Sequence, residues 1–512
     1  MKSRTSNSLK NIFWTSFVFF INIILNFIAR KIFISFLGAD YNGLNSLFTS
    51  VISMLSIAEL GIGTTILYKL YKPLSDNDTE KIKSFLLYYK NCYRIIALIV
   101  LTIGIILIPF LDIIVGNIEL NTNIYIVYLL FLFESVVSYL LSYKRSILIA
   151  YQEERIIKKI HLFRIIFLNL SQILFLCYTK NYYLYLIIKV IFTVLENLII
   201  AFTANKKYNY ITQRAKPLEV SEKKELSKRI KAMFFHQSAG FIVNGTDNIL
   251  ISYFFGINYV GFYNNYFLII NSLISLISNI FTAITASIGN LLASSNKEKR
   301  FNVYNNINFI NFLIVSFICC IFLLMIQDFI TWWIGKENLL GIDLVIVMVI
   351  YFYFKIMKSS ILAFKNAAGI FYEDRYIPII ESVINIFASI IFAHYFGLKG
   401  ILMGTIVSTL VLYVYSYPKF VYEKLFDKSK VSYYIEHFKY FIVTCIFTIV
   451  SYLLNNIIIF DNFYINALKT IIITLIIFIT IVYFIFHKTI QYNYVKSIVS
   501  NVLIKIKGVI KK

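Results

Sequence analysis

Residues 22–43 read NIILNFIARKIFISFLGADYNG, and residues 240–261 read GFIVNGTDNILISYFFGINYVG. Each is a long apolar stretch with a few polar residues, closed by Gly-x-x-Tyr-x-Gly. At an offset of 218, Asn26 falls on Asn244, Gly38 on Gly256, Tyr41 on Tyr259 and Gly43 on Gly261. Ala29 and Arg30 fall on Asp247 and Asn248, so the charged position changes sign between copies. The chain therefore reads as an internal duplication. In the first copy Asn22, Asn26 and Arg30 recur every four residues and share one helical face. A charge near mid-bilayer costs roughly 2.5–3.5 kcal/mol, so that face is expected to meet protein or water rather than lipid.

The composition fixes the solvent. Of 512 residues, 59% are hydrophobic and only 15% charged, where a soluble protein carries about 25% charged residues. Apolar runs of about 20 residues follow one another, the pattern of a multi-spanning helical membrane protein. The five cysteines lie in apolar segments without paired or metal-like spacing and read as small core residues. Lys2, Arg4 and Lys10 precede the first apolar run with no small-residue cleavage site, so a retained first helix is expected rather than a signal peptide.

The fold class read from this pattern is all-α integral membrane with about 14 transmembrane helices, spans one to fourteen at roughly 11–36, 43–68, 91–115, 122–143, 160–179, 182–203, 233–254, 262–290, 305–327, 341–364, 376–396, 400–417, 438–458 and 464–486. With both ends inside, the cytoplasmic side collects 37 of the 49 Lys and Arg. Only Lys180, Lys336 and Lys399 fall outside, which fixes the expected orientation by the positive-inside rule. The net charge of +23 is then a topology signal plus attraction to anionic membrane lipids, not a mark of nucleic acid. The expected organisation is an N-terminal six-helix lobe (1–203), a basic cytoplasmic linker (204–232) and a second six-helix lobe (233–417). A cytoplasmic loop (418–437), two further helices (438–486) and a basic cytoplasmic tail (487–512) follow. An even number of spans per copy leaves both lobes in one orientation, related by a pseudo-twofold along the membrane normal with a cavity between them.

Candidate residues follow from charge inside spans. Arg30 lies more than two helical turns below the turn at Gly38, deeper than snorkelling comfortably reaches, and is read as lining a cavity with Asn22 and Asn26. Lys31 is a weaker member of that set, because it reads more readily as a headgroup anchor. Span two carries Glu59 in Ala58-Glu59-Leu60-Gly61-Ile62-Gly63, either a proton or cation site or a partner for a neighbouring Arg. Span four offers Glu134 and Arg145; span six offers Lys189, Thr193 and Glu196 and reads as packing across helices. Span seven offers Asp247 beside Asn244 and Asn248, with His236 read as interfacial. Lys355 and Lys358 in span ten are too deep for snorkelling and are read as cavity-lining, and Lys365 as an inner-edge anchor. Span eleven adds Glu381 and Asn385. The two deepest basic sets belong to opposite halves, an arrangement suited to an anionic cargo. No phosphate loop, zinc set, GxSxG or CxxC is present, so the sequence predicts neither an ATPase nor a cofactor.

The stretches Ala29-Arg30-Lys31 with Phe36 to Leu44, Ala58 to Gly63, Thr246 to Ser252, Phe364 to Phe371 and Gly397 to Thr405 give the chain a recognisable texture. Together with two six-helix halves and two terminal helices, it resembles the Wzx-type polysaccharide-biosynthesis flippases (O-antigen and capsule repeat units). These belong to the multidrug/oligosaccharidyl-lipid/polysaccharide exporter superfamily. The resemblance implies a MATE-like arrangement, a bacterial inner-membrane location and no enzymatic activity. It also implies an undecaprenyl-diphosphate-linked oligosaccharide as cargo, flipped outward by alternating access, with a polysaccharide polymerase and other assembly proteins as partners. Arg30, Lys31, Lys355 and Lys358 would then meet the diphosphate, and Glu59, Asp247 or Glu381 would couple an ion. The alternatives are a drug/cation antiporter of the same superfamily, or a membrane polymerase or glycosyltransferase. The short outer loops argue against such an enzyme.

Overall fold

The computed structural model describes the backbone of residues 2–510 except Leu60, Gly61, 117–119, Phe371, Tyr372 and Ile459. Side chains are described for the same residues except 2–9, 12, 58, 64, 232, 233, 235–244, 502, 503 and 505–510. The side chains of His236 and Asn244 thus lie outside the described residues. The chain divides into two compact units, Met1–Asn264 and Asn265–Lys512.

The first unit holds α1 (Lys2–Leu55), α2 (Ile62–Ser75), α3 (Thr79–Leu107), α4 (Leu111–Val115) and α5 (Ile124–Ala150). It continues through α6 (Glu154–Thr179), α7 (Tyr182–Lys207), α8 (Val220–Phe255) and the start of α9 (Ile257–Ser294). The second holds the remainder of α9, α10 (Lys297–Ile334), α11 (Ile342–Met357), α12 (Ser359–Ala368), α13 (Ile377–Phe396) and α14 (Leu398–Val411). A π-helical stretch (Leu412–Glu423), α15 (Lys424–Phe426), α16 (Lys430–Asn455), α17 (Phe463–Phe486) and α18 (Ile490–Ile510) complete it. Among the described residues, twelve helices are long and apolar enough to cross a membrane. Helix ends are closed by the short polar side chains that the sequence places there. Asn123, Asn181, Asn296 and Asn462 each accept hydrogen bonds from backbone N–H groups of the helix that follows.

The duplication is visible in the backbone. Gly38 adopts φ 88°, ψ 179° and Gly256, its counterpart, φ 93°, ψ 165°. A side chain at such φ is strained, so glycine is needed at both positions. α1 is accordingly two helical stretches meeting at Gly38, and α8 and α9 repeat that junction at Gly256. One turn later the two copies cross. A Cβ on Gly43 would lie 2.1 Å from the Ile257 carbonyl oxygen, and one on Gly261 would lie 2.5 Å from that of Ala39. Ala39 and Ile257 are themselves equivalent at the repeat offset, so the crossing is reciprocal. In the second unit, Gly400 and Gly404 bring α14 equally close to α13, where a Cβ would meet the Phe392 carbonyl oxygen at 2.0 Å and the Ser389 nitrogen at 2.4 Å.

Helix extends beyond several predicted spans. The basic segment 69–90, expected as a cytoplasmic loop, is helical up to Ser75 and again from Thr79. α8 runs without interruption from the polar segment at 220–231 into the seventh span, and its polar end is tied down by Lys69–Glu225 at 2.9 Å and Lys81–Glu222 at 2.6 Å. Lys69 holds the Glu225 carboxyl below its ordinary value of 4.5. A lowered folded-state pKa gives stability that is present above the unfolded pKa and is lost as pH falls through the folded one. The thermal midpoints of wild type and Glu225→Gln should therefore differ slightly at neutral pH and converge as the buffer is taken well below pH 4.5. A difference that persists in acid would show that the carboxylate charge is not involved.

Candidate functional site

In the first unit the polar face of α1 is half-buried at Asn22 and Arg30 and exposed at Asn26 and Lys31. An Nη1–H of Arg30 donates to Asn42 Oδ1, and Asn42, 1% exposed, donates through Nδ2 to the Gly261 carbonyl at 3.0 Å. The cation is thereby oriented by the same crossing that the paired glycines permit. Aromatic rings of α7 stand beside this segment, with Tyr185 4.9 Å from Phe33 and Tyr182 5.1 Å from Tyr41.

Span two is not the continuous helix the hydropathy suggests. α1 ends at Leu55 and Ser56–Glu59 form a single tighter turn; after Leu60 and Gly61, which lie outside the described residues, helix is described again from Ile62. Glu59 sits at the break and accepts from the Tyr93 hydroxyl, which itself lies 3.2 Å from the hydroxyl of Tyr89. Tyr139 donates to Ser56 Oγ in the same turn at 2.8 Å.

Glu196 is buried and meets three basic side chains. It lies 3.0 Å from Arg145 Nη2, 3.2 Å from Arg164 Nε and 3.1 Å from His161 Nδ1, with its side chain 6% exposed. Arg164 also donates to Thr193 Oγ1 at 2.9 Å; Thr193 donates to Glu134 at 3.0 Å, and Lys189 pairs with Glu134 at 2.8 Å. Glu134 lies about 15 Å along α5 from Ile124, at ~1.5 Å per residue. The charged residues of spans four and six thus belong to one network, completed by two α6 side chains, His161 and Arg164, that the sequence reading passed over. Asp247 and Asn248 are both 7% exposed, and Asn248 donates to Ser50 Oγ at 2.7 Å.

In the second unit span ten is also broken. α11 ends at Met357, Lys358 caps it, and α12 begins at Ser359. The carbonyls of Ile356 and Met357 beside the break both accept from Asn311 Nδ2, at 3.2 and 3.0 Å. Ser360 donates to Asn308 at 2.7 Å, and Asn308 donates to Glu436 at 3.1 Å. Asn308 and Asn311, spaced by three inside an apolar helix, were the available sequence signal for this support. Lys358 and Lys355 are half-buried, with Lys355 Nζ 5.8 Å from the Tyr351 ring centroid. Lys365 is not the inner-edge anchor its position suggested. It is buried and ion-paired with Asp374, which also accepts from Ser416 Oγ of the π-helical stretch at 3.0 Å. A lysine next to a buried carboxylate trades headgroup contact for its own counterion. Glu381 is half-buried one turn before Asn385, whose amide donates to Thr405 Oγ1 at 3.0 Å.

Each unit therefore places a charged candidate at a helix break: Glu59 in the first, Lys358 in the second. Interrupted helices inside a membrane free backbone polar groups and commonly mark binding sites. Among the described residues no group of His, Cys, Asp and Glu is arranged to hold a metal.

No protein-family model matches the sequence, and no curated protein matches it. Solved structures do. The lipid II flippase MurJ in an inward closed conformation aligns with TM-score 0.67 and 16% identity, over 94% of this chain and 100% of that one. An inward-facing multidrug-resistance MATE transporter aligns with TM-score 0.57 and 16% identity, over 76% of this chain and 91% of its own. A variant of the Vibrio cholerae MATE transporter VcmN aligns with TM-score 0.53 and 13% identity, over 80% and 95%. The 6% left unmatched by MurJ is smaller than α16 and α17 together, so that likeness runs into the last two spans. The chain has the fold of the multidrug/oligosaccharidyl-lipid/polysaccharide exporter superfamily.

Proposed function

We propose that the protein is a flippase that moves a polyprenyl-diphosphate-linked oligosaccharide from the inner to the outer leaflet by alternating access, for assembly of a surface polysaccharide. The supporting observation is the pairing of this exporter fold, matched to a lipid-substrate flippase over nearly its whole length, with basic residues deep in the spans. A diphosphate in hydrocarbon needs cationic partners, and Arg30, Lys355 and Lys358 are the groups offered for it, with Asn22, Asn26 and Lys31 beside Arg30. Glu59, Asp247 and Glu381 are the carboxylates proposed to couple an ion gradient. The same fold serves multidrug MATE transporters, so drug efflux is the reading to be tested against.

In cells lacking the protein, lipid-linked repeat units should accumulate facing inward, shielded from a membrane-impermeant probe, and wild type should release them. Arg30→Ala should slow that release about tenfold or more, since a hydrogen bond to a charged group contributes roughly 1.5–3 kcal/mol, and Arg30→Lys should retain more activity than Arg30→Ala. Absence of any accumulated lipid-linked sugar, with drug sensitivity instead, would replace this reading by the antiporter.

A further inference from the structure

The last helix carries a feature that no transport role explains. From Lys488 to Lys512 there are six lysines and no Asp or Glu. At every fourth position of α18 stands an apolar or aromatic residue: Ile490, Tyr494, Ile498, Val502, Ile506 and Ile510. Val495, Val499 and Leu503 form the adjacent row at the same spacing, while Lys496 and Lys507 fall on the other side of the helix and Lys505 at the edge of the apolar side. Where side chains are described, these rows are exposed: Ile490 is 78% exposed, Val499 51%, Tyr494 44% and Ile498 39%.

The chain also turns where the last apolar span ends. α17 stops at Phe486 and α18 starts at Ile490, yet the ring of Tyr492 lies 6.3 Å from that of Tyr483. In one straight helix, nine residues would separate them by about 13 Å along the axis. α18 therefore leaves the axis of the last span immediately, with Thr489 Oγ1 accepting from Tyr492 N at 3.3 Å in the turn. A cationic helix with outward apolar rows, starting three residues past a span, is positioned to lie along a membrane rather than cross it or enter solvent.

We propose that α18 is an interfacial helix that binds the surface of an anionic lipid leaflet, its apolar rows among the upper acyl chains and its lysines on lipid phosphates. Charge complementarity selects the partner: with no acidic residue in the segment, each lysine near an anionic surface contributes roughly fivefold to binding. The inference is independent of the cargo.

The test is hydrogen exchange of segment 490–504 in the full-length protein, reconstituted either in phosphatidylcholine alone or in phosphatidylcholine with phosphatidylglycerol. Exchange should be at least about tenfold slower in the anionic vesicles, because a helix of this length is marginal when unsupported in water. In the triple variant Lys496→Gln, Lys505→Gln, Lys507→Gln the lipid dependence should disappear while transport-segment protection stays unchanged. Equal protection of wild type in both lipids would overturn the proposal. So would efficient cross-linking of Ser500→Cys between copies at the same yield in both vesicles, which would make a second copy the partner.

Discussion

Glu196→Ala should destabilise the first unit more than any other single side-chain truncation in its membrane interior, by about 3 kcal/mol. The carboxylate is surrounded by Arg145, Arg164 and His161 from two other helices, with Arg164 17% exposed. Removing it leaves cations facing one another without a counterion, and that uncompensated charge dominates over the lost hydrogen bonds. The figure sits at the low end of the usual range because Arg145 is 35% exposed and keeps access to water. Thermal unfolding of the purified protein in one detergent measures it. Glu196→Gln should recover only part of the loss, since it keeps the shape and not the charge. Adding Arg164→Met to Glu196→Ala should restore stability, because it removes the stranded cation rather than a partner. A melting temperature unchanged by Glu196→Ala would mean that the cluster is solvated and not a structural clasp.

Gly43→Ala and Gly261→Ala should each be severely destabilising for a different reason. The added methyl would meet backbone, 2.1 Å from Ile257 O in the first case and 2.5 Å from Ala39 O in the second. Backbone cannot rotate aside as a side chain can, so the helices must separate and the Asn42–Gly261 hydrogen bond lengthens with them. Overpacking in a close-packed interior typically costs 1–3 kcal/mol, and a clash with a carbonyl belongs at or above the upper end. Gly289→Ala is the matched control: it lies in the same long helix α9, nothing stands within 4 Å of the new methyl, and it should be neutral or stabilising by up to about 1 kcal/mol. Yield and thermal midpoint of the three variants side by side decide the matter. Because Arg30 is oriented through Asn42, the two crossing variants should also lose transport in whatever fraction remains folded.

The sequence was most legible where the physics is local or periodic. Hydropathy alone marks the spans, because a bilayer imposes length and apolarity on every crossing helix. Gly38 and Gly256 are legible as junctions because few residues tolerate their φ, and the repeat offset then ties the two together. What hydropathy does not show is where a span breaks. The interruptions at Glu59 and Lys358 depend on neighbours that lie far away in sequence: Tyr93 donating to Glu59, and Asn311 accepting the task of satisfying the Ile356 and Met357 carbonyls. The same applies to pairing. Lys189 and Glu196 share a face of α7, but spacing cannot say that one pairs with Glu134 and the other with Arg145 and Arg164. Lys365 follows the same rule: its depth is legible in the sequence, its counterion Asp374 is not.

The reciprocal glycine crossing also bears on ancestry. A half-length ancestor that paired with itself in membranes would have met both demands with one glycine codon, each subunit presenting the residue that the other required. In the present chain Gly43 and Gly261 are separate positions, so a mutation at either is not mirrored in the other. At equivalent positions the two copies differ in charge, as Arg30 and Asn248 do, but both keep the glycine that the crossing requires.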